Sequence, residues 1–136
     1  MSSCKTCGEV YANENNESYR WCKPCQINNL KRTNLTSGNE KIDEFIQEMQ
    51  LKIDKYSDMV FEWIPYNQFS DIKEICRGGF ATVYSAIWKD GPLNYDYEDT
   101  EKYVKSYPNY KVALICLQNI TNEFLNEVWN LYKFKF

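Results

Sequence analysis

The fold is decided by one stretch of the chain, Phe69-Ser-Asp-Ile-Lys-Glu-Ile-Cys-Arg-Gly-Gly-Phe-Ala-Thr-Val-Tyr-Ser-Ala-Ile-Trp88. Its second half is rich in the β-branched and aromatic residues that favour strands, and Gly78-Gly79 in the middle is typical of a turn. The stretch therefore predicts two strands, over residues 69–77 and 80–88, joined through the two glycines. Residues 110–117 have a similar composition and predict a third strand.

The regions around these strands carry helical and loop patterns. Residues 40–57 predict an amphipathic helix, because their apolar side chains recur at three- and four-residue steps: Ile42, Phe45, Ile46, Met49, Ile53 and Tyr56. We expect this helix to pack on the neighbouring domain rather than to bind a partner. Residues 29–39 are polar and predict a linker. Residues 89–109 predict a long inserted loop, and residues 122–132 predict a final helix.

Three motifs in chain order resemble the amino-terminal lobe of the protein kinase family: Ile75-Cys-Arg-Gly-Gly-Phe-Ala-Thr-Val-Tyr84, Lys111-Val-Ala-Leu-Ile-Cys116 and Phe124-Leu-Asn-Glu-Val128. In that family they correspond to a glycine-rich loop, a Val-Ala-Ile-Lys strand and a helix whose glutamate pairs with the lysine. The long insertion and the paired cysteines that precede the lobe are similar to expanded fungal kinase-like families. The resemblance implies that residues 66–136 form a truncated kinase-like lobe of three antiparallel strands and one helix.

The same resemblance implies a degenerate nucleotide site. The family's nucleotide-binding positions fall on Ile75, Gly78, Gly79, Phe80, Val83, Ala113, Ile115 and Glu127. Ile115 stands where the family has the lysine that binds the α- and β-phosphates. The chain also ends at Phe136 without the family's catalytic-loop and magnesium-binding motifs. We therefore expect no catalytic residues, no phosphotransfer, and ATP binding that is weak or undetectable.

The strongest chemical signal is the spacing of four cysteines, Cys4-x2-Cys7 and Cys22-x2-Cys25. Two such pairs are typical of a tetrahedral zinc site. Because four thiolates fill the coordination sphere, we expect the metal to be structural. Residues 10–12 and 18–21 predict paired strands with a turn at 13–16. Residues 1–28 thus predict a small zinc ribbon, in which Lys23 offsets part of the thiolate charge.

Composition limits the partners. The 136 residues carry a net charge of −3, so the chain has no overall basic field to hold a phosphate backbone. Tyr11, Tyr19 and Trp21 could stack on bases, although we expect them to form the core of the ribbon. No apolar run is long enough to span a bilayer, so we expect no membrane partner. The amino terminus also lacks a signal-peptide core, which predicts an intracellular, cytoplasmic protein with the nucleus left open. In such a reducing compartment we do not expect the six cysteines to form a disulfide framework.

As a whole, the sequence predicts an α+β protein: a zinc-ribbon unit, an amphipathic helix and an incomplete kinase-like lobe. The third strand would keep an unpaired edge, with Val112 and Leu114 exposed, and such surfaces favour self-association. Three functions are open: a kinase-like fragment that binds an unknown protein without phosphotransferase activity, a pseudokinase fragment with residual ATP binding, and a nucleic-acid-binding zinc ribbon. We favour the first.

Overall fold

The computed structural model describes residues 2–79, 81–117 and 133–135, and its fold is α+β, as the sequence predicts. The helices and strands of these residues are α1 Glu14–Ser18, α2 Lys23–Thr33, α3 Glu40–Gln50, β1 Phe69–Arg77, β2 Ala81–Trp88, β3 Leu93–Asp96, β4 Lys102–Lys105, β5 Tyr110–Leu117 and β6 Lys133–Lys135. The final helix predicted over 122–132 lies outside the described residues. No helix within the described ranges has the length and apolar character needed to cross a membrane.

The main sheet is antiparallel and has the strand order β1-β2-β5-β6. The three strands predicted from the sequence are confirmed, since β1 and β2 flank Gly78-Gly79 and β5 pairs with β2 along its whole length. The short strand β6 pairs with residues 112–114 of β5. The expectation of an unpaired edge on the third strand is therefore wrong for those residues.

The core of the main sheet lies on one of its faces. Alternate residues of a strand point to opposite faces, and the buried cluster consists of Ile64, Phe69, Ala86, Trp88, Val112 and Leu114. Val112 is 1% exposed and Leu114 is 5% exposed. This corrects the expectation that both belong to an exposed apolar surface. The physical reason is that Ile64, just before the sheet, and Trp88 of β2 pack in the same cluster.

Residues 89–109 contain a hairpin where the sequence predicts a loop. Strand β3 pairs with β4, from Leu93 opposite Lys105 to Asp96 opposite Lys102. The Asp96 carboxylate accepts hydrogen bonds from two backbone N–H groups and one hydroxyl of the turn that follows it, which closes the hairpin. Four-residue strands are too short for their alternation to be distinguished from loop sequence.

The base of this hairpin is fixed to the main sheet by a polar contact network. The Lys105 ammonium donates to the Gly91 carbonyl at 2.7 Å, pairs with the Glu62 carboxylate, and lies 4.5 Å from the centre of the Trp88 ring. The same carboxylate accepts a hydrogen bond from the Leu93 N–H at 3.0 Å. These contacts attach the inserted hairpin to the core of the main sheet.

The amino-terminal residues are more helical than predicted. Helix α1 occupies the segment predicted as a hairpin turn, because the Asn13 side chain caps it by accepting a hydrogen bond from the Asn16 N–H at 2.8 Å. Helix α2 continues to Thr33, so half of the predicted linker is helical.

Helix α3 ends at Gln50, well short of the predicted end at residue 57. The buried Gln50 amide exchanges hydrogen bonds with Asn34 and donates to the Phe61 carbonyl at 2.7 Å. These bonds hold the end of the helix against the segments on either side. The apolar face of α3 is confirmed at Ile42 and Ile46, which are buried.

A second core joins the cysteine-bearing residues to the inserted hairpin. Its buried members come from α2 and its approach, from residues 53–60 and from β3: Trp21, Leu30, Ile53, Val60 and Tyr95. Trp21 has no exposed surface and Leu30 is 1% exposed. The predicted ribbon therefore shares its core with residues far away in the chain.

Hydrogen bonds reinforce this junction. The Trp21 indole donates to the Tyr103 hydroxyl at 2.9 Å, and the buried Gln26 amide donates to the Glu101 carbonyl at 2.9 Å. The Tyr95 hydroxyl lies 3.1 Å and 2.9 Å from two consecutive carbonyls at residues 19 and 20. The hairpin therefore positions the segment that carries the second cysteine pair.

Candidate metal centre

Four cysteine sulfurs lie together at the start of α2. The Cys4 and Cys25 Sγ atoms are 3.8 Å apart, the Cys7 and Cys22 Sγ atoms are 3.4 Å apart, and all four lie within 4.8 Å of one another. A zinc ion with four sulfur ligands at about 2.3 Å in a tetrahedron places those sulfurs about 3.8 Å from each other. The four cysteines singled out by their spacing are thus brought together at distances suited to one metal ion.

The first cysteine pair lies on a tight backbone loop. The Cys4 N–H donates to the Glu9 carbonyl at 2.8 Å, and the Gly8 N–H donates to the Cys4 carbonyl at 2.8 Å. Gly8 has a φ of 82°, a left-handed conformation that favours glycine. Ser3 and Val10 form an isolated antiparallel bridge across the loop. The prediction of paired strands over residues 10–12 and 18–21 is wrong: Val10 pairs with Ser3 instead, and α1 occupies residues 14–18.

The second cysteine pair lies at the first turn of α2. Cys22 is the N-cap residue, Pro24 follows in the first turn, and the Gln26 N–H donates to the Cys22 carbonyl at 2.9 Å. The first N–H groups of a helix lack helical partners, and the helix dipole favours negative charge at that end. The Cys25 N–H at this end of α2 donates to the Cys22 sulfur and favours its thiolate, although burial outweighs this contribution.

The thiols also affect one another. Burial raises the pKa of Cys4, but N–H groups of Cys7 and Thr6 donate to its sulfur, and the balance lowers that pKa to about 7. Burial raises the pKa of Cys22 to about 11, with contributions from neighbouring thiols. The pKa of Cys25 is also raised, first by burial and then by the other three thiols. The Cys4 thiolate thus forms readily, and a cation is needed to hold Cys22 and Cys25 in the ionised form.

Two of the four cysteines are buried, and the cluster borders a cavity of about 610 Å³. Cys4 is 8% exposed and Cys22 is 5% exposed, and both pack with Tyr11, whereas Cys7 is exposed. Lys23 does not serve the cluster as predicted, because its ammonium lies 2.7 Å from the Asp54 carboxylate. Thiolate charge is therefore offset by backbone N–H groups and by any bound metal.

The positions implied by the kinase resemblance lie at two places on the sheet. Val83 is opposite Ile115, and Ser85 is opposite Ala113. Strand alternation therefore puts Val83, Ala113 and Ile115 on the face opposite the sheet core. The fold brings these three residues together, and Ala113 is only 5% exposed.

The other described positions implied by the kinase resemblance lie at the turn end of the β1–β2 hairpin. Ile75 is 51% exposed, and both glycines are exposed. The Gly78 N–H donates to the Ala81 carbonyl at 2.8 Å, and neither Gly78 nor Gly79 has a left-handed φ. The two glycines thus lie in the connection from β1 to β2. Phe80 and Glu127 lie outside the described residues.

Sequence reasoning missed the residues that hold the metal centre in place. Tyr95, Tyr103 and the Glu101 carbonyl of the inserted hairpin contact the segment that carries Cys22 and Cys25. The only signal was the pair of tyrosines in two short alternating runs, Leu93-Asn-Tyr-Asp and Lys102-Tyr-Val-Lys. These runs are too short to predict strands, and they do not indicate what such strands would pack against.

No protein-family model, curated protein or solved structure matches this chain. The arguments for a metal centre and for a kinase resemblance therefore rest on its own sequence and structure. The metal centre depends on the mutual distances of four sulfurs. The kinase resemblance depends on the three motifs quoted from the sequence.

Proposed function

We propose that this protein is a zinc-stabilised, kinase-like binding module that engages a partner protein and carries out no phosphotransfer. The observation that carries the proposal is the group of four cysteine sulfurs within 4.8 Å of one another. Four protein ligands complete the tetrahedral shell of zinc and leave no position for a substrate. The role of the metal is therefore to hold the fold.

The zinc ion would link the loop that carries Cys4 and Cys7 to the start of α2. The loop that carries Cys4 and Cys7 packs with Tyr11 in a small buried cluster. The other two cysteines begin α2, which carries Leu30 into the core shared with the hairpin. Metal binding would thus attach the amino-terminal loop to the rest of the fold, and its binding free energy would contribute directly to folding.

The arrangement of the main sheet supports the kinase-like part of the proposal. The glycine-containing turn joins two antiparallel strands, and the strand with Lys111-Val-Ala-Leu-Ile-Cys116 pairs with the second of them. Val83 and Ala113 share the face opposite the core, as expected if that face derives from an adenine-binding surface.

The same face supports the absence of phosphotransfer. Ile115 shares it with Val83 and offers no charge to a phosphate group. Lys111 is on the same face, but four residues of strand place it about 13 Å from Ile115. Arg77, at the loop, pairs with Glu74 of its own strand at 2.7 Å. Lys111 and Arg77 are thus not placed to do the work of the family lysine. Lys73, opposite Ser85 on the same face, is held by Asp71 of its own strand at 3.4 Å.

Metal analysis of the purified full chain tests the central part of the proposal. We expect one zinc per chain, retained through gel filtration and released by a strong chelator together with titratable thiols. Cys7→Ser removes one ligand and should lower the zinc content well below one per chain. Cys76→Ser is the matched control, because Cys76 is exposed and outside the cluster. Full zinc in Cys7→Ser, or none in the unaltered chain, would refute the site.

A phosphotransfer assay tests the second part. We expect no labelled phosphate on a protein substrate or on the chain itself, with two independently purified preparations compared to exclude contaminating kinases. Transfer that persists in both preparations and disappears on denaturation of this protein would show that it is an active kinase.

A further inference from the structure

A second site lies away from the metal centre, in a cleft of about 440 Å³ between residues 56–60, the inserted hairpin and the start of β5. Five tyrosines line it: Tyr56, Tyr95, Tyr97, Tyr107 and Tyr110. We refer to it as the aromatic cleft. Tyr107 is 55% exposed and Tyr97 is 39% exposed, so their ring surfaces remain available.

The charge of the aromatic cleft has one sign. Among its described lining residues the charged side chain is Asp58, and no lysine or arginine is present. Asp58 accepts hydrogen bonds from the N–H groups of Asp54 and Lys55, but it forms no ion pair with another described residue. Aromatic faces carry negative partial charge. The cleft therefore offers π faces and a carboxylate without a cation to balance them.

A buried acceptor adds to this character. Asn94 lines the aromatic cleft, and its Oδ1 atom is buried without a hydrogen-bond partner in the described part of the chain. The partial negative charge of this oxygen is not balanced by a donor among the described residues, so it adds to the negative character of the cleft without contacting a ligand directly.

We propose that the aromatic cleft binds an organic cation of the methylated-ammonium class. Aromatic faces attract cations within about 6 Å of the ring centre, and methylated ammonium groups suit such sites because they also make apolar contacts. Asp58 supplies the counter-charge, and the open rings of Tyr97 and Tyr107 supply the contact surface. This proposal goes beyond the zinc-stabilised module, because it assigns a ligand to a surface that contains none of the four cysteines.

The walls of the cleft are held in position before any ligand arrives. The Tyr56 and Tyr97 ring centres are 6.0 Å apart at an interplanar angle of 75°. Tyr19 packs on both of them, with ring centres 3.9 Å from Tyr56 and 4.9 Å from Tyr97. Tyr19 thus supports two walls at nearly a right angle. A site whose aromatic groups are already ordered loses little conformational entropy on binding.

The decisive test compares a cation with its neutral isostere. Choline and 3,3-dimethylbutan-1-ol have the same shape, but only choline is charged, and both are titrated into the full chain by calorimetry and by chemical-shift perturbation. We expect choline to bind at least about fivefold more tightly than the alcohol. Equal affinities would show an apolar cleft without selectivity for cations, and choline that fails to saturate any signal would exclude the site.

Variants of residues at the mouth of the aromatic cleft test where choline binds. Tyr107→Leu removes a ring and should weaken choline binding by about three- to tenfold, whereas Tyr107→Phe keeps the ring and should stay within about twofold. Tyr66→Leu is the matched control, since Tyr66 is 63% exposed and does not line the cleft. Asp58→Asn should weaken choline but not the neutral alcohol. Equal losses in Tyr107→Leu and Tyr107→Phe would refute the assigned contact.

Two further probes separate the sources of such a cation. Nα-acetyl-trimethyllysine amide presents the group as a protein side chain does, and choline presents it as a free small molecule. Tighter binding of the lysine derivative, with the unmethylated derivative much weaker, assigns a modified protein as the source. Tighter binding of choline assigns a small molecule. If the unmethylated lysine amide binds as tightly as the methylated one, the proposed selectivity for methylated ammonium is wrong.

Discussion

The cysteine cluster and the turn at Gly78-Gly79 are both marked by sequence motifs, but they are packed very differently. Cys4 and Cys22 are buried, and the helix that follows Cys22 contributes Leu30 to a core with residues from three segments. In contrast, residues 75–79, at the end of β1 and the start of the turn, are all exposed. Tertiary contacts therefore set the geometry of the cluster, whereas pairing with β2 holds the end of β1.

Removing the metal should cause the largest loss of protection from hydrogen exchange, and this loss should be confined to the region around the cysteine cluster. Replacing Cys22 and Cys25 together by Ser, or adding a strong chelator, should abolish protection from hydrogen exchange over residues 2–33. The reason is that structural zinc contributes about 10–16 kcal/mol in small zinc domains. Residues 81–88 and 110–117 of the main sheet should keep their protection.

The control for this experiment is Cys76→Ser in the exposed part of β1, which should leave protection unchanged. Unaltered exchange over residues 2–33 after complete zinc removal would show that the amino-terminal region does not depend on the metal.

Two Gly→Ala substitutions compare the loss of stability at the base of the inserted hairpin with the loss in an open loop. Gly91→Ala should lower the free energy of unfolding by about 3 kcal/mol, because it combines a left-handed φ with overpacking. Its new Cβ would lie 1.9 Å from the Tyr107 carbonyl oxygen. Gly38→Ala has a similar φ of 85° but nothing within 4 Å, so it should cost only about 1 kcal/mol.

Urea unfolding of the two glycine variants measures this difference. Gly79→Ala, which has neither a left-handed φ nor a close neighbour, should be nearly neutral. If Gly79→Ala were the most damaging of the three, the turn of the β1–β2 hairpin would be the more constrained region and the comparison would be reversed.

Tyr103→Phe tests the junction between the hairpin and the cysteine-bearing segment. The change removes only the hydroxyl that accepts the hydrogen bond from the fully buried Trp21 indole. We expect a loss of about 1–3 kcal/mol in the free energy of unfolding, because the indole N–H is left without a partner. Tyr107→Phe, at an exposed ring, is the matched control and should change stability little. Equal stabilities of the two variants would mean that the junction contributes nothing measurable.

Ile115→Lys tests nucleotide binding at the face of the main sheet that carries Ile115. We expect ATP binding by the unaltered chain to be weak or undetectable by calorimetry. Restoring a cation should raise affinity by about one to two decades, because a charge-assisted hydrogen bond contributes roughly 1.5–3 kcal/mol. Ile87→Lys is the control, since Ile87 lies on the same face at the far end of the strand, opposite Lys111. Micromolar ATP affinity in the unaltered chain would contradict the proposal.

The smallest change in stability should come from replacing Asp43, which lies in α3. Its carboxylate accepts hydrogen bonds from the Ser37 N–H and hydroxyl and from the Thr36 hydroxyl. Burial raises the pKa of Asp43, but these bonds outweigh burial and lower it. The stabilisation is therefore present above the unfolded pKa of about 3.9 and is lost as pH falls through the lower folded pKa.

Asp43→Asn should accordingly be less stable than the unaltered chain at pH 7, with a gap that shrinks below about pH 4. Urea unfolding at several pH values measures the gap. A gap that is the same at pH 7 and pH 3 would show that the carboxylate charge plays no part.

Local sequence was sufficient for the elements whose causes are local. The β-branched and aromatic residues of β2 and β5 predict strands without reference to the rest of the chain, and both strands form where expected. The apolar spacing of α3 predicts its buried face, but not its end at Gln50, which depends on hydrogen bonds to Asn34 and Phe61.

By itself, the sequence singled out the four cysteines that the fold brings together and three strands of the main sheet, because pair spacing and strand composition act over a few residues. Only the tertiary structure decided that the insertion is a hairpin, that it packs against the cysteine-bearing segment, and that tyrosines from separate segments form a cleft. The contact of Trp21 with Tyr103 joins residues 82 positions apart. A contact over such a distance is selected by the burial of the whole core, and no local pattern in the chain specifies it.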